Sequence, residues 1–317
     1  MQIFLYIYAV AVLGFIFNAA NIGVAQIPAD ASIEEIVSKA SEQRKIYTEE
    51  FKNLLSEETK HFEIYGKNGE IKKRRAVKST FIVYQLSKDD KLVAEYRNVI
   101  SVDGKNLDNT DKRAQDFFEK IVEVESSNKE LEKLFDEGSR YDQDISLGLF
   151  TLYQAVALAD NLRPYFDFKL EGTERIDNNE VYVISYRQLR PSPYIIAGGG
   201  REPADGGLVL KYDIDEKGDL NGRLKGKLWI DKNTFQVWRE NRIMNLQPEG
   251  FAAPVILAEN VFEFQNSGFT ILTPKKITHT QYELKRKNLI SIKEARVTFE
   301  YDKFTKPDVE VKSGEVK

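Results

Sequence analysis

Alternating apolar and polar residues predict antiparallel strands along most of the second half of the chain. In the segment 224–231 every second residue is apolar or glycine, and the residues between them are two lysines, a tryptophan and an aspartate. The segment 294–301 alternates in the same way. Alternation with a period of two is typical of a sheet with one face on the core and the other in water. The connections 231–234 and 266–268 are short and polar, so successive strands are expected to pair antiparallel.

Helical spacing of apolar residues occurs in three segments of the first half. Ser32 and Glu35 form a capping box, which predicts a helix from there to about residue 54. A second helix is predicted over 111–136, where apolar residues again recur at helical spacing. The run 145–162 is apolar on nearly every side, which predicts a third helix that is buried.

The N-terminal segment has the features of a secretory signal peptide. Residues 3–17 are an apolar run that ends at Asn18, and no charged side chain precedes it. Gly23 and Ala25 supply the small residues that a signal peptidase requires, so cleavage is predicted between Ala25 and Gln26. An uncleaved membrane anchor is the alternative, but a helical span requires about 20 apolar residues. We therefore expect a secreted protein, with the periplasm as its compartment.

The apolar side of the predicted sheet must be covered, and only about three predicted helices are present to cover it. We therefore expect an α+β fold in which a wide, curved antiparallel sheet, an unclosed β-barrel or half-barrel, is covered by a few helices. The segment 188–207 contains three prolines and five glycines and is expected to form a loop or lid. Residues 306–317 are expected to form a polar tail.

Two predicted hairpins have distinctive sequences. One is Gly226–Arg239, which reads GKLWIDKNTFQVWR, and the other is Glu171–Arg187. Both resemble hairpins of the periplasmic lipoprotein-carrier superfamily, the LolA/LolB-like and outer-membrane lipoprotein-sorting proteins. The resemblance implies a single domain over 26–305 whose half-barrel encloses a hydrophobic cavity for acyl chains. Relative to that superfamily, a helical insert at 111–162 and the loop 188–207 are additional.

Composition and motifs argue against an enzyme, a metal site and a nucleic-acid-binding surface. The 317 residues include 46 basic and 50 acidic side chains, a net charge of −4, whereas nucleic-acid-binding proteins usually carry a basic excess. The chain has no cysteine, and its two histidines, His61 and His279, are expected to be structural. Residues 213–219 resemble a calcium loop, but Leu224 replaces the required glutamate, which favours a solvated turn. No catalytic residue, metal or cofactor is predicted.

The aromatic content indicates that the predicted sheet covers a cavity in addition to the helices that pack on it. The chain contains 19 Phe, 15 Tyr and 2 Trp, and the apolar surface of so wide a sheet exceeds what three helices can cover. We expect a cavity that binds a lipid or an acylated protein and opens by movement of 188–207 or 145–162. The predicted cavity wall consists of Phe81, Val83, Phe166, Phe168, Leu228, Ile230, Phe262, Phe264, Val297 and Phe299.

The sequence thus predicts a monomeric, non-enzymatic carrier of hydrophobic ligands. The basic run Lys72–Arg75 is a candidate for transient contact with anionic lipid headgroups, although a solvated sheet edge explains it equally well. The alternative function is an envelope structural or interaction module with a fully packed core and no ligand. A third hypothesis, an enzyme that uses clustered carboxylates, requires two acidic side chains to converge in one cleft.

Overall fold

The computed structural model describes residues 31–52, 54–86, 93–142, 151–197, 203, 207–212, 223–246, 254–285 and 290–306. The chain divides into two units, Met1–Ser32 and Ile33–Lys317, and the second contains every helix and strand described below. The predicted signal peptide and its cleavage site lie outside the described residues. Of the helices in the described ranges, none is long and apolar enough to cross a membrane.

The described elements are, in chain order, α1 (Ile33–Phe51), β1 (Leu55–Tyr65), β2 (Ile71–Gln85), β3 (Val93–Val102), β4 (Lys105–Asn106), α2 (Thr110–Ile121), α3 (Ser127–Ser139), β5 (Phe166–Ile176), β6 (Asn179–Gln188), β7 (Ile195–Ala197), β8 (Leu210–Tyr212), β9 (Arg223–Asp231), β10 (Val237–Leu246), β11 (Val255–Gln265), β12 (Thr273–Lys285) and β13 (Ile290–Thr305). Three short 3₁₀ turns, Thr151–Tyr153, Val156–Leu158 and Arg163–Tyr165, lie between α3 and β5.

Eleven of the described strands form one antiparallel sheet in the order β4-β3-β2-β1-β13-β12-β11-β10-β9-β6-β5. Its two edges, β4 and β5, do not pair with each other, so the sheet is not closed into a barrel. The predicted α+β fold with a curved, unclosed sheet is confirmed. The predicted loop 188–207 contains β7, which pairs in parallel with β8, beyond the end of the loop, as a separate two-stranded sheet.

Burial alternates along the strands and defines two faces of the sheet. We call the face that carries Phe62, Phe262 and Val297 the inner face, because these side chains are at most 1% exposed. Phe62 lies opposite Val297 where β1 pairs with β13, so the first and the last strand of the chain both contribute to this face. The opposite, outer face carries mostly polar side chains of intermediate or high exposure. This is the pattern that the alternation in the sequence predicts.

Helix α1 covers part of the inner face with aromatic side chains. The ring of Phe51 lies 6.2 Å from that of Phe81 on β2, and the ring of Tyr47 meets that of Phe264 on β11 edge-on at 6.0 Å. Val37 and Ala40 on the same side of the helix are buried. The helix predicted from the capping box is therefore present, and its apolar stripe faces the sheet.

The buried helix predicted at 145–162 is wrong for the residues that the structure describes. From Thr151 onward the chain forms short 3₁₀ turns, and Ala155 adopts left-handed backbone angles of 44° and 40°, which interrupt a right-handed helix. Residues 145–150 lie outside the described ranges. The burial of this stretch was predicted correctly, since Leu152, Val156 and Leu162 are at most 5% exposed. We call residues 151–165 the inner segment.

The single helix predicted over 111–136 is also wrong, because two helices, α2 and α3, occupy this region. Helix α2 ends at Ile121, and the side chain of Ser126 then accepts a hydrogen bond from the amide of Lys129 and starts α3 as its N-cap. Both helices pack on β3, where Ile121 and Leu134 are buried with Tyr96. They therefore flank the sheet near its β4 edge.

Candidate functional site: the covered inner face

The predicted cavity-wall residues lie on strands of the sheet, and nine of the ten are buried. Their exposed fractions range from 0% for Leu228 and Phe262 to 7% for Phe166. Phe168, on the edge strand β5, is half-buried, and its ring lies 6.4 Å from that of Tyr186. The remaining buried members are Phe81, Val83, Ile230, Phe264, Val297 and Phe299.

The inner segment is held over this face through its main chain. The amide and the hydroxyl of Thr151 both donate to one oxygen of Glu95, at 2.8 and 2.6 Å. The amide of Ala155 donates to Glu240 at 2.6 Å. Glu95 belongs to β3 and Glu240 to β10, so these two carboxylates bind the segment from strands that are far apart in the sheet.

Carbonyl groups of the same segment accept hydrogen bonds from buried or half-buried donors. Arg242 on β10 donates to the carbonyl of Tyr153, and Arg44 on α1 donates to that of Gln154. Two more bonds come from α1: the hydroxyl of Tyr47 donates to the carbonyl of Thr151 at 3.0 Å, and the hydroxyl of Ser41 donates to that of Leu158 at 2.8 Å. These bonds pair backbone polar groups of a segment that forms no regular helix or strand.

Glu95 is part of a buried charge cluster that also contains Glu58 and Arg97. Arg97 binds Glu58 with two hydrogen bonds of 2.7 and 3.0 Å and Glu95 with one of 2.7 Å. Burial alone would lower the pKa of Arg97, but the two carboxylates more than offset this effect and raise it. The two acids therefore converge on a guanidinium group. The hypothesis of a carboxylate enzyme would require them to converge in a substrate cleft instead.

Glu240 is part of a second buried charge cluster. Its carboxylate accepts hydrogen bonds from Arg242 at 2.8 and 2.9 Å and from the hydroxyl of Tyr186 at 2.8 Å. Burial lowers the pKa of Arg242, but the negative charge of Glu240 raises it by more, so the net shift is upward. The pKa of neighbouring Arg44 falls to about 10, chiefly because of burial and then because of repulsion from Arg242.

Close packing at the second cluster requires a glycine. A Cβ added at Gly226 would lie 2.1 Å from the carbonyl oxygen of Asn241 and 2.6 Å from the ring of Tyr186. Gly226 lies opposite Tyr186 in the register of β6 and β9, so the tyrosine ring crosses the strand at this point. The glycine of the hairpin motif thus allows Tyr186 to reach Glu240.

A small cavity lies between α1, the inner segment and the sheet in the described part of the protein. It has a volume of about 10 Å³ and lies among Arg44, Tyr47, Gln154 and Val237. That volume holds about one water molecule. A larger open depression of about 440 Å³ lies along α2, next to Phe117 and away from the predicted wall.

His279 lies on the inner face, buried, with its Nδ1 2.8 Å from the side-chain oxygen of Asn260. Burial lowers the pKa of His279 to about 4, so the imidazole is neutral at pH 7. Among the residues that the structure describes, no three His, Asp or Glu side chains converge as a metal site. His61 is on the outer face, 3.7 Å from Glu300.

Comparisons with known proteins give structural neighbours only. No family model and no curated protein matches the chain. A DUF1329 family protein from Desulfovibrio piger is 11% identical with a TM-score of 0.33, over 88% of this chain and 94% of the other. A Vibrio parahaemolyticus domain described as an outer membrane lipoprotein-sorting protein domain is 9% identical with a TM-score of 0.35, over 88% and 95%.

A third similar structure is the MucA/MucB complex of Pseudomonas aeruginosa, with 11% identity and a TM-score of 0.21 over 83% of this chain and 94% of the other. The Vibrio domain is named for lipoprotein sorting, as is the superfamily that the two hairpins resemble. At these identities and scores, the functions of the neighbours do not transfer to this chain.

Proposed function

We propose that this protein is an extracytoplasmic, non-enzymatic carrier that binds a lipid or an acylated protein on its inner face, where the ligand replaces the inner segment. The main support is that the inner face is apolar and aromatic, from Val83 on β2 across the sheet to Phe168 on β5. This face is covered partly by a segment without regular secondary structure. An irregular segment can leave the sheet without breaking a helix or a strand ladder. In this proposal the predicted wall residues contact the acyl chains.

The magnitudes constrain which ligand can displace the segment. Leaving the face would expose Leu152, Val156, Leu158 and Leu162, at about 1.5–3 kcal/mol each. It would also break the charge-assisted hydrogen bonds to Glu95, Glu240, Arg242 and Arg44, at about 1.5–3 kcal/mol each. These losses add up to about 12–24 kcal/mol, and a sixteen-carbon chain contributes about 13 kcal/mol, at about 0.8 kcal/mol per methylene, which offsets only the low end of that range. We therefore expect ligands with at least two acyl chains.

Native mass spectrometry of the mature protein, purified without detergent, tests this function. The protein is incubated with a diacyl phospholipid or with the matching single-chain fatty acid. A discrete added mass with the diacyl lipid, and none with the fatty acid, is the expected result. A bare polypeptide mass under all conditions would contradict the proposal.

One observation favours the second candidate, an envelope interaction module with a filled core. The cavity between α1, the inner segment and the sheet holds only about one water molecule, which is too little for an acyl chain. In that function the inner segment is a permanent part of the core. The bare mass in the experiment above is the outcome that this candidate predicts.

A further inference from the structure

The hairpin that joins β1 to β2 ends in a cluster of exposed cations, which we call the basic tip (residues 63–75). It contains five basic and two acidic residues, a formal charge of +3, in a chain whose net charge is −4. Lys67, Lys72 and Lys73 are exposed, and none of them has an ion pair or hydrogen bond among the described residues. These three charges are therefore not neutralised within the described structure.

The tip projects beyond β3, because the pairing of β2 with β3 ends at Val77 and Val102. Successive residues of a strand point to opposite faces, yet Lys72, Lys73 and Arg74 are all exposed. Both faces of the hairpin are thus open to solvent at this end. In the turn the amide of Gly66 donates to the carbonyl of Glu70 and the amide of Gly69 donates to the carbonyl of Gly66, and Gly69 adopts a φ of 80°, which glycine accommodates without strain.

Two cations from β13 extend the basic surface around an aromatic ring. Lys293 lies 5.2 Å and Arg296 5.9 Å from the centre of the Tyr65 ring. Glu63 is shared between Arg74 at 3.7 Å and Arg296 at 3.4 Å, so a single carboxylate faces two guanidinium groups. Positive charge therefore remains in excess at this corner.

Half-exposed apolar groups accompany the charges. Tyr65, Ile64 and Ile71 are each of intermediate burial at the end of the hairpin. Tyrosine and aliphatic side chains among lysines suit the boundary between headgroups and acyl chains, where apolar groups enter and cations remain at the phosphates. A purely polar acidic partner would leave these apolar groups without a role.

A second group of lysines lies on the outer face, away from the tip. Lys225 and Lys227 on β9 are exposed, and β5, which β6 separates from β9, carries Asp167, paired with Arg187 at 3.1 Å, and Glu171, paired with Lys169 at 3.2 Å. This surface is a flat part of the sheet rather than a projecting end. It provides a control with the same number of removable charges.

From these observations we infer that the basic tip is a docking surface for anionic phospholipid membranes, with its lysines at the phosphates and Tyr65 and Ile71 at the headgroup boundary. This inference is independent of whether the inner face binds a ligand. Each lysine near an anionic surface strengthens binding roughly fivefold. Removing two of them should weaken partitioning roughly 25-fold.

Co-sedimentation with phospholipid vesicles tests the inference. The mature protein should bind phosphatidylcholine vesicles that contain phosphatidylglycerol, more strongly at low salt, and should bind pure phosphatidylcholine poorly. The variant Lys72→Gln/Lys73→Gln should bind roughly 25-fold more weakly, and Lys225→Gln/Lys227→Gln should bind like the wild type. All of these side chains are exposed, so equal melting temperatures are expected and serve as the folding control.

Three results would overturn the inference. The first is an absence of binding to either vesicle, which would redirect the basic tip to another partner. The second is equal binding to both vesicles, which would exclude a charge-dependent surface. The third is an equal loss of binding in the two double variants, which would show that overall charge rather than the tip controls binding.

Discussion

The hydroxyl of Thr151 provides the cleanest single perturbation of the inner segment. It is buried, 1% exposed, and donates to Glu95 at 2.6 Å, while Glu95 keeps its bond to Arg97 in its absence. Thr151→Val removes only this bond at nearly constant volume. A hydrogen bond to a charged group contributes about 1.5–3 kcal/mol, so the free energy of unfolding should fall by about that amount. If the segment opens locally, its opening equilibrium rises roughly 10- to 150-fold.

Two measurements check this prediction. Urea denaturation gives the loss of stability, and amide hydrogen exchange at Ala155, whose N–H binds Glu240, reports opening of the segment. The control is Thr298→Val, a half-buried threonine on the outer face of β13, for which a change within about 0.5 kcal/mol is expected. If Thr151→Val behaves like this control in both measurements, Glu95 does not hold the inner segment.

Three further predictions concern the inner face. Native His279 has a pKa of about 4, below the ordinary 6.5, so the unfolded state binds the proton first and stability should fall by about 3 kcal/mol between pH 6.5 and 4. Urea midpoints across that range should show this loss in the wild type and not in His279→Gln; equal losses would contradict it. Arg97→Met leaves two buried carboxylates without their partner and should cost about 3–5 kcal/mol, far more than Arg187→Met at an exposed ion pair. Similar urea midpoints for these two variants would refute the assignment. Gly226→Ala should cost about 1–3 kcal/mol or more by thermal unfolding, because its Cβ meets the Asn241 carbonyl; a neutral effect would mean that the strand relaxes freely.

The faces of the strands were predictable because period-two alternation depends only on local geometry. Leu224, Leu228 and Ile230 are buried and Lys225 and Lys227 exposed, as the alternation predicts. Trp229 lies on the same outer face as the two lysines, and the alternation predicts that it is exposed to solvent. It is 8% exposed, because it packs with Trp238 and lies under the guanidinium of Arg239 at 5.0 Å. Packing within a face depends on neighbouring strands, which alternation does not report.

The conformation of the inner segment could not be predicted from its apolar composition. An apolar run predicts burial equally well for a helix and for an irregular segment. What decides between them is the supply of hydrogen-bond partners, and Glu95 and Glu240 are 56 and 85 residues away from the amides that they bind.

The break before α3 had a local signal, since Ser126 and Ser127 precede Asn128, and serine and asparagine are favoured N-caps.

The charged side chains of the inner face were also missed. Glu58 and Lys60 on β1 occupy inward positions and are at most 1% exposed. In the sequence they resemble residues of a solvated face, because lone charges are rarely buried. Their partners come from other elements: Arg97 for Glu58, and Asp142, whose pKa burial raises, for Lys60. Sequence alone therefore predicted an apolar wall where the structure alternates apolar and paired charged groups.

Hydrogen exchange of the inner segment in the presence of a bound diacyl phospholipid shows whether the ligand displaces this segment. We expect the lipid to remove protection from the amides of 151–158, including Thr151 and Ala155, because the ligand takes the place of the segment. Amides of β13 should keep or gain protection in the same sample. Lipid binding with the segment as protected as in the free protein would refute displacement, since the ligand would then bind elsewhere.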